Sequence, residues 1–153
     1  MQPRLNFAKA SQDAYKAVLD LETYVQTSGL ERRFIHLIKL RASIINHCAY
    51  CVDMHVKEAR KGGETEQRIH LVSAWRESPL YSERERAALE WTEALTLLPQ
   101  SRAADEFYEP LKRHFTDVEI VQLTMLIGVI NTWNRLAVGF RTVHPVDRAA
   151  QAA

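Results

Sequence analysis

The sequence predicts an all-α fold, and three observations carry that reading. Apolar residues recur at helical spacing along almost the whole chain, with no strand-like alternation long enough to compete. Two capping boxes, Ser82 with Glu85 and Thr116 with Glu119, each open an apolar run. The only two cysteines, Cys48 and Cys51, share a face with His55 only if their segment is helical, because a helix advances about 100° per residue.

The elements follow in order. Residues 8–27 read as a first amphipathic helix, with Ala14, Val18, Leu21 and Val25 on one face and Ser28-Gly29 as its stop. A second helix begins near Glu31. Its stripes Phe34, Leu37, Ile38, Arg41, Ile45 and His36, Leu40, Ser43, His47 predict packing on two sides. Asn46 or His47 is the expected N-cap of a third helix, which carries Cys48, Cys51 and His55 and ends with Lys57, Arg60 and Lys61 before Gly62-Gly63. Residues 65–75 form a shorter helix that Pro79 interrupts. Ser82 then starts a helix with the stripe Ala88, Trp91, Leu95, Leu98, and residues 100–104 are a loop. Asp105 is the expected cap of a short helix through Phe107, Tyr108 and Leu111. The last helix is apolar nearly all round over residues 120–130, as for a central helix or one buried between subunits. Asn131, Asn134 and Arg135 extend it, and their expected role is to glue helices by hydrogen bonds. The tail past Phe140 is expected to fray.

No repeat, linker or low-complexity block divides the chain, so one domain over residues 1–153, with its core at about 8–142, is the economical organisation. Acidic and basic residues nearly cancel, with a formal net charge of +1 and no basic patch, which argues against nucleic acid and anionic membrane as partners. Neither a signal-peptide core nor a membrane-spanning run is present, and a cytoplasmic location is the default expectation. There a CxxC pair is redox-active or metal-binding more often than it is a permanent bridge.

The chemistry is concentrated in Cys48-Ala49-Tyr50-Cys51-Val52-Asp53-Met54-His55. A helix N-terminus presents unpaired N–H groups and positive dipole, which favour thiolate over thiol. His55, one turn past Cys51, can take or relay the thiol proton. Two cysteines three residues apart can also close a disulfide, the second half of a redox cycle. His36 lies three helical turns upstream and reaches the site only if the second helix packs on the third. Three other readings stand beside this one: an inert core helix, a structural oligomerisation module, and a Cys₂His₂ zinc site using Cys48, Cys51, His55 and either His36 or His47. Zinc fingers, however, usually place their ligand pairs on separate elements.

The run Leu40-Arg41-Ala42-Ser43, Asn46, Cys48 to His55 and Lys57-Glu58-Ala59-Arg60 closely resembles the core of the AhpD-like alkylhydroperoxidases of the carboxymuconolactone decarboxylase superfamily. Ser82-Glu83-Arg84-Glu85-Arg86-Ala87-Ala88-Leu89 and Ile130-Asn131-Thr132-Trp133-Asn134-Arg135-Leu136-Ala137 extend the likeness, so that it runs from about Leu21 to Phe140. The resemblance implies a helical homotrimer or homohexamer that reduces hydroperoxides or disulfides through its thiols, without metal or haem. It also implies a dithiol reductant or a lipoyl-type carrier protein as partner. It assigns Cys51 as the peroxidatic cysteine, Cys48 as the resolving one and His55 to the proton relay. The decarboxylase branch lacks the paired cysteines. Two positions depart from the pattern: His36 stands where the family commonly has a relay glutamate, and His47 where it commonly has glycine. Imidazole and carboxylate differ in charge and basicity, so the far end of the relay is left open.

Overall fold

The computed structural model describes residues 2–146, and every regular element among them is helical. The helix expected over residues 8–27 is divided into α1 (Phe7–Ala10) and α2 (Gln12–Gln26). Asn6 caps α1 by accepting from Lys9 N at 3.1 Å, and Ser11 between them is extended with φ −145°. α3 (Arg32–Ile45) is the centre of the molecule; residues 34–40 are all buried, in keeping with its two apolar stripes. α4 (Ala49–Lys61) carries the cysteine face and ends at Gly63, whose φ of 84° is the left-handed conformation glycine adopts without strain.

α5 (Glu66–Leu71), capped by Thr65, passes directly into a 3₁₀ turn, Val72–Glu77, so the α-helix is lost before Pro79 is reached. α6 (Glu83–Thr96) starts at the predicted Ser82–Glu85 capping box. Its stripe is cut short: Ala88 and Trp91 are buried, but Leu98 is exposed because it begins a separate turn, α7 (Leu98–Ser101). That turn takes up part of the expected 100–104 loop, with Pro99 in the first turn, where its missing N–H costs nothing. In α8 (Asp105–Tyr108) Asp105 lies inside the first turn, and Ala104 holds the cap position without a side-chain bond. A 3₁₀ turn, Leu111–Arg113, leads to α9 (Asp117–Gly139), opened by the Thr116–Glu119 capping box.

α4, α6 and α9 pack around α3, and α2 lies along α9. Ile120, Leu123, Leu126, Ile127 and Ile130 turn the inner side of α9 into the core. Of the two expected settings, central or buried between subunits, the inner side shows the first, while the outer side is left uncovered within the chain. Val118, Val121 and Met125 are 66%, 59% and 37% exposed there. The expected frayed tail falls partly on residues 147–153, outside the described residues.

One joint positions the site. At the end of α3, His47 N donates to Ile44 O at 3.1 Å and Cys48 N donates to Ser43 O at 3.0 Å. This is the paired-bond termination that needs a left-handed residue, and His47 supplies it at φ 53°. Asn46 anchors the joint by donating to Asn131 Oδ1 at 3.0 Å and to Asn134 Oδ1 at 2.9 Å. Asn134 donates in turn to Ser43 Oγ and Asn131 to Thr96 Oγ1, each at 3.1 Å. The polar cluster on α9 is thus spent on joining α3, α6 and α9, as the glue reading expects. Asn46 and His47 being so engaged, neither caps α4; Cys48 does, its Sγ accepting from Cys51 N at 3.3 Å. A left-handed non-glycine residue costs about 1–2 kcal/mol, part of which is offset because glycine loses more entropy on folding. His47→Gly is therefore expected to stabilise the protein by about 1 kcal/mol, read as a rise of about 2–4 °C in the thermal midpoint.

Candidate active site

Cys48 and Cys51 occupy the cap and third positions of α4 and form a disulfide with a Cα–Cα distance of 5.3 Å. Both are almost fully buried. Because Cys48 is the cap, its sulfur sits against the unpaired N–H groups of the first turn, where negative charge is favoured. Cys51 faces a cavity of about 290 Å³, which is roomy enough for a small organic ligand. Its wall is mainly apolar, built from Phe7, Leu19, Tyr50, Met54 and Trp133.

The packing of α3 on α4 brings His36 and His55 together. Both rings are buried, and their centroids lie 6.4 Å apart. Between them stands Glu58, a residue to which the sequence reading gave no role. Glu58 Oε2 lies 3.0 Å from His55 Nδ1, within hydrogen-bond distance, and 3.3 Å from His36 Nδ1 without a well-directed bond to it. The α3 position of the expected relay carboxylate is His36, and the carboxylate that stands beside it is Glu58 on α4, three residues past His55. The signal was in the register, since Glu58 follows Cys51 by seven residues and so shares its face. His47 is exposed and takes no part. Neither sulfur belongs to a close group of metal-ligating atoms; among the described residues that group is His36, His55 and Glu58.

The electrostatics follow from this arrangement. The His36 and His55 rings, in that order, hold Glu58 well below the ordinary carboxylate range. Burial pushes His55 below its ordinary value of 6.5, against the raising effect of Glu58. His55 is therefore neutral at pH 7. With its Nδ1 proton donated to Glu58, the buried Nε2, which makes no hydrogen bond among the described residues, keeps a free lone pair. Deeper in the wall Lys39 is fully buried and ion-paired with Glu22. Glu22 also accepts from Trp133 Nε1 at 3.2 Å and from Gln26 Nε2 at 2.7 Å. Burial alone would raise Glu22, but Lys39 and these donors outweigh it and hold the carboxyl below its ordinary range.

A pH dependence of stability follows. Below pH 6.5 the unfolded chain protonates His55 while the folded state resists, so stability falls as pH falls from there toward the lower folded value. Glu58 adds a further loss below its ordinary value of 4.5. Thermal midpoints measured from pH 8 to pH 5 should decline below about 6.5, and His55→Gln should remove much of that decline.

The sequence pattern of the carboxymuconolactone decarboxylase family matches residues 11–94, which contain Cys48, Cys51, His55, Glu58 and His36. The uncharacterized protein YdfG of Bacillus subtilis is 41% identical over 138 residues, 90% of this chain and 94% of its own. A crystal structure of an Agrobacterium tumefaciens protein of unknown function, named as a candidate AhpD of antioxidant defence, is 62% identical. It superposes with a TM-score of 0.93 over 95% of this chain and all of its own. A peroxidase-related protein from Silicibacter sp. TM1040 shares the fold alone. It has 22% identity and a TM-score of 0.78, over 89% of this chain and 72% of its own. The chain is an AhpD-like member of the carboxymuconolactone decarboxylase family.

Proposed function

We propose that the protein is a thiol-dependent hydroperoxide reductase, with Cys51 as the attacking thiol. The observation that carries this reading is that Cys51 and the buried His55 line the same mainly apolar cavity, with Cys51 within bonding reach of a second cysteine. The cycle starts from the dithiol. His55 Nε2 accepts the Cys51 proton, and the thiolate attacks the outer peroxide oxygen. The O–O bond breaks, the sulfur is oxidised to sulfenic acid, and the alkoxide leaves as alcohol with a proton. The Cys48 thiol then displaces hydroxide from the Cys51 sulfenic acid, giving the disulfide and water. An external dithiol restores both thiols by exchange and leaves as its own disulfide.

Glu58 fixes the working tautomer of His55 by holding Nδ1–H, and His36 completes the cluster behind it. The mainly apolar wall favours an organic hydroperoxide over hydrogen peroxide. A dithiol supplied by the cytoplasm, free or on a lipoyl-type carrier, is the matching reductant. The uncovered Val118, Val121 and Met125 of α9 suit a homotrimer or homohexamer. Among the described residues no helix is long and apolar enough to cross a membrane.

One equivalent of an organic hydroperoxide should consume both thiols of the reduced protein; a titration that still finds two thiols overturns the cycle. Cys51→Ser should abolish turnover, whereas Cys48→Ser should leave a sulfenic acid trapped on Cys51. His55→Gln should lower kcat/KM about 100-fold and Glu58→Gln by less, since a lost general base costs about 10²–10⁴.

A further inference from the structure

We propose that His36, His55 and Glu58 form a binding site for one divalent ion of the zinc type, and that an ion held there arrests the thiol chemistry. The ligand atoms of these three residues all lie within 4.8 Å of one another. Neighbouring ligands of a tetrahedral ion bonded at about 2.0–2.1 Å are about 3.3–3.4 Å apart. Two of the edges, 3.0 Å from Glu58 Oε2 to His55 Nδ1 and 3.3 Å to His36 Nδ1, are already close to that.

A second observation is independent of the spacing. His36 is 3% exposed, yet among the described residues its Nδ1 makes no well-directed hydrogen bond, although it is turned to the same carboxylate oxygen. Buried polar atoms are rarely left so, and a ring nitrogen in this position has a lone pair to offer an ion. Glu58 is the half-exposed member and lines the cavity, so an open coordination position falls on the cavity side. The charge of Lys39 reaches His55 and opposes a cation there, but its pairing with Glu22 offsets that opposition. Two imidazoles and one carboxylate suit zinc and its neighbours, not the all-oxygen ions calcium and magnesium.

The arrest follows from the two nitrogens of His55. When Glu58 accepts from Nδ1–H, Nε2 is the base. When an ion takes Nδ1, the ring proton resides on Nε2, and the Cys51 proton has nowhere to go. This consequence rests on the peroxidase reading; the ion site itself does not.

The test titrates Zn²⁺ calorimetrically into the oxidised protein, in which the disulfide removes both sulfurs as ligands. One ion per chain is expected. His36→Gln and Glu58→Gln should each weaken binding by more than about tenfold, the least that loss of even an outer-shell partner brings. Glu58 is half exposed, so its variant keeps the test open if His36→Gln does not fold. The C48S/C51S double variant, which has no thiol activity, should bind like the wild type. Binding untouched by both ligand variants overturns the site, as does zinc held only by the reduced protein and lost in C48S/C51S. Zinc-saturated protein should lose hydroperoxide turnover and regain it with a chelator; full turnover when saturated overturns the arrest.

Discussion

The left-handed turn at His47 is the constraint on which the site depends. It ends α3 and starts α4 within two residues, and so makes Cys48 both the last acceptor-bound residue of one helix and the cap of the next. The angle between the helices follows from that joint, and with it the meeting of His36 and His55. Asn46, held by Asn131 and Asn134, keeps the turn from relaxing. The polar patch in the most apolar helix is thus a structural cost that fixes the place of the thiols, since a buried amide left without partners costs about 1–3 kcal/mol.

Two charge arrangements frame the cavity and differ in burial. Lys39 and Glu22 form a closed pair, reinforced by Trp133 and Gln26, and breaking one partner would strand a buried charge at about 3–5 kcal/mol. That pair holds α2, α3 and α9 together as the cavity wall. Glu58, by contrast, is half exposed and lies within 3.3 Å of two imidazole rings.

Much of this was legible from the residues. The shared face of Cys48, Cys51 and His55 needs only helical periodicity, and both capping boxes appear where the sequence places them. What escaped depends on tertiary contact. Lys39 reads as a helix-surface cation until Glu22 arrives from α2. Glu58 lies among Lys57, Arg60 and Lys61, where a carboxylate looks like part of a solvated face until His36 approaches from α3. Asn46 is the better cap type, but its amide is committed to α9, so Cys48 takes the cap position. The break at Ser11 and the turn at Leu98 are local choices that apolar periodicity does not resolve.

The bridge between Cys48 and Cys51 spans the first turn of a single helix. The stabilisation a disulfide gives by restricting the unfolded chain grows with the loop it closes, and this loop is about as short as one can be. Helical geometry already holds the two sulfurs near each other, whether or not they are joined. The fold therefore has little at stake in the oxidation state of its cysteines. It can persist with both thiols free, and no helix has to move for the bridge to open or close.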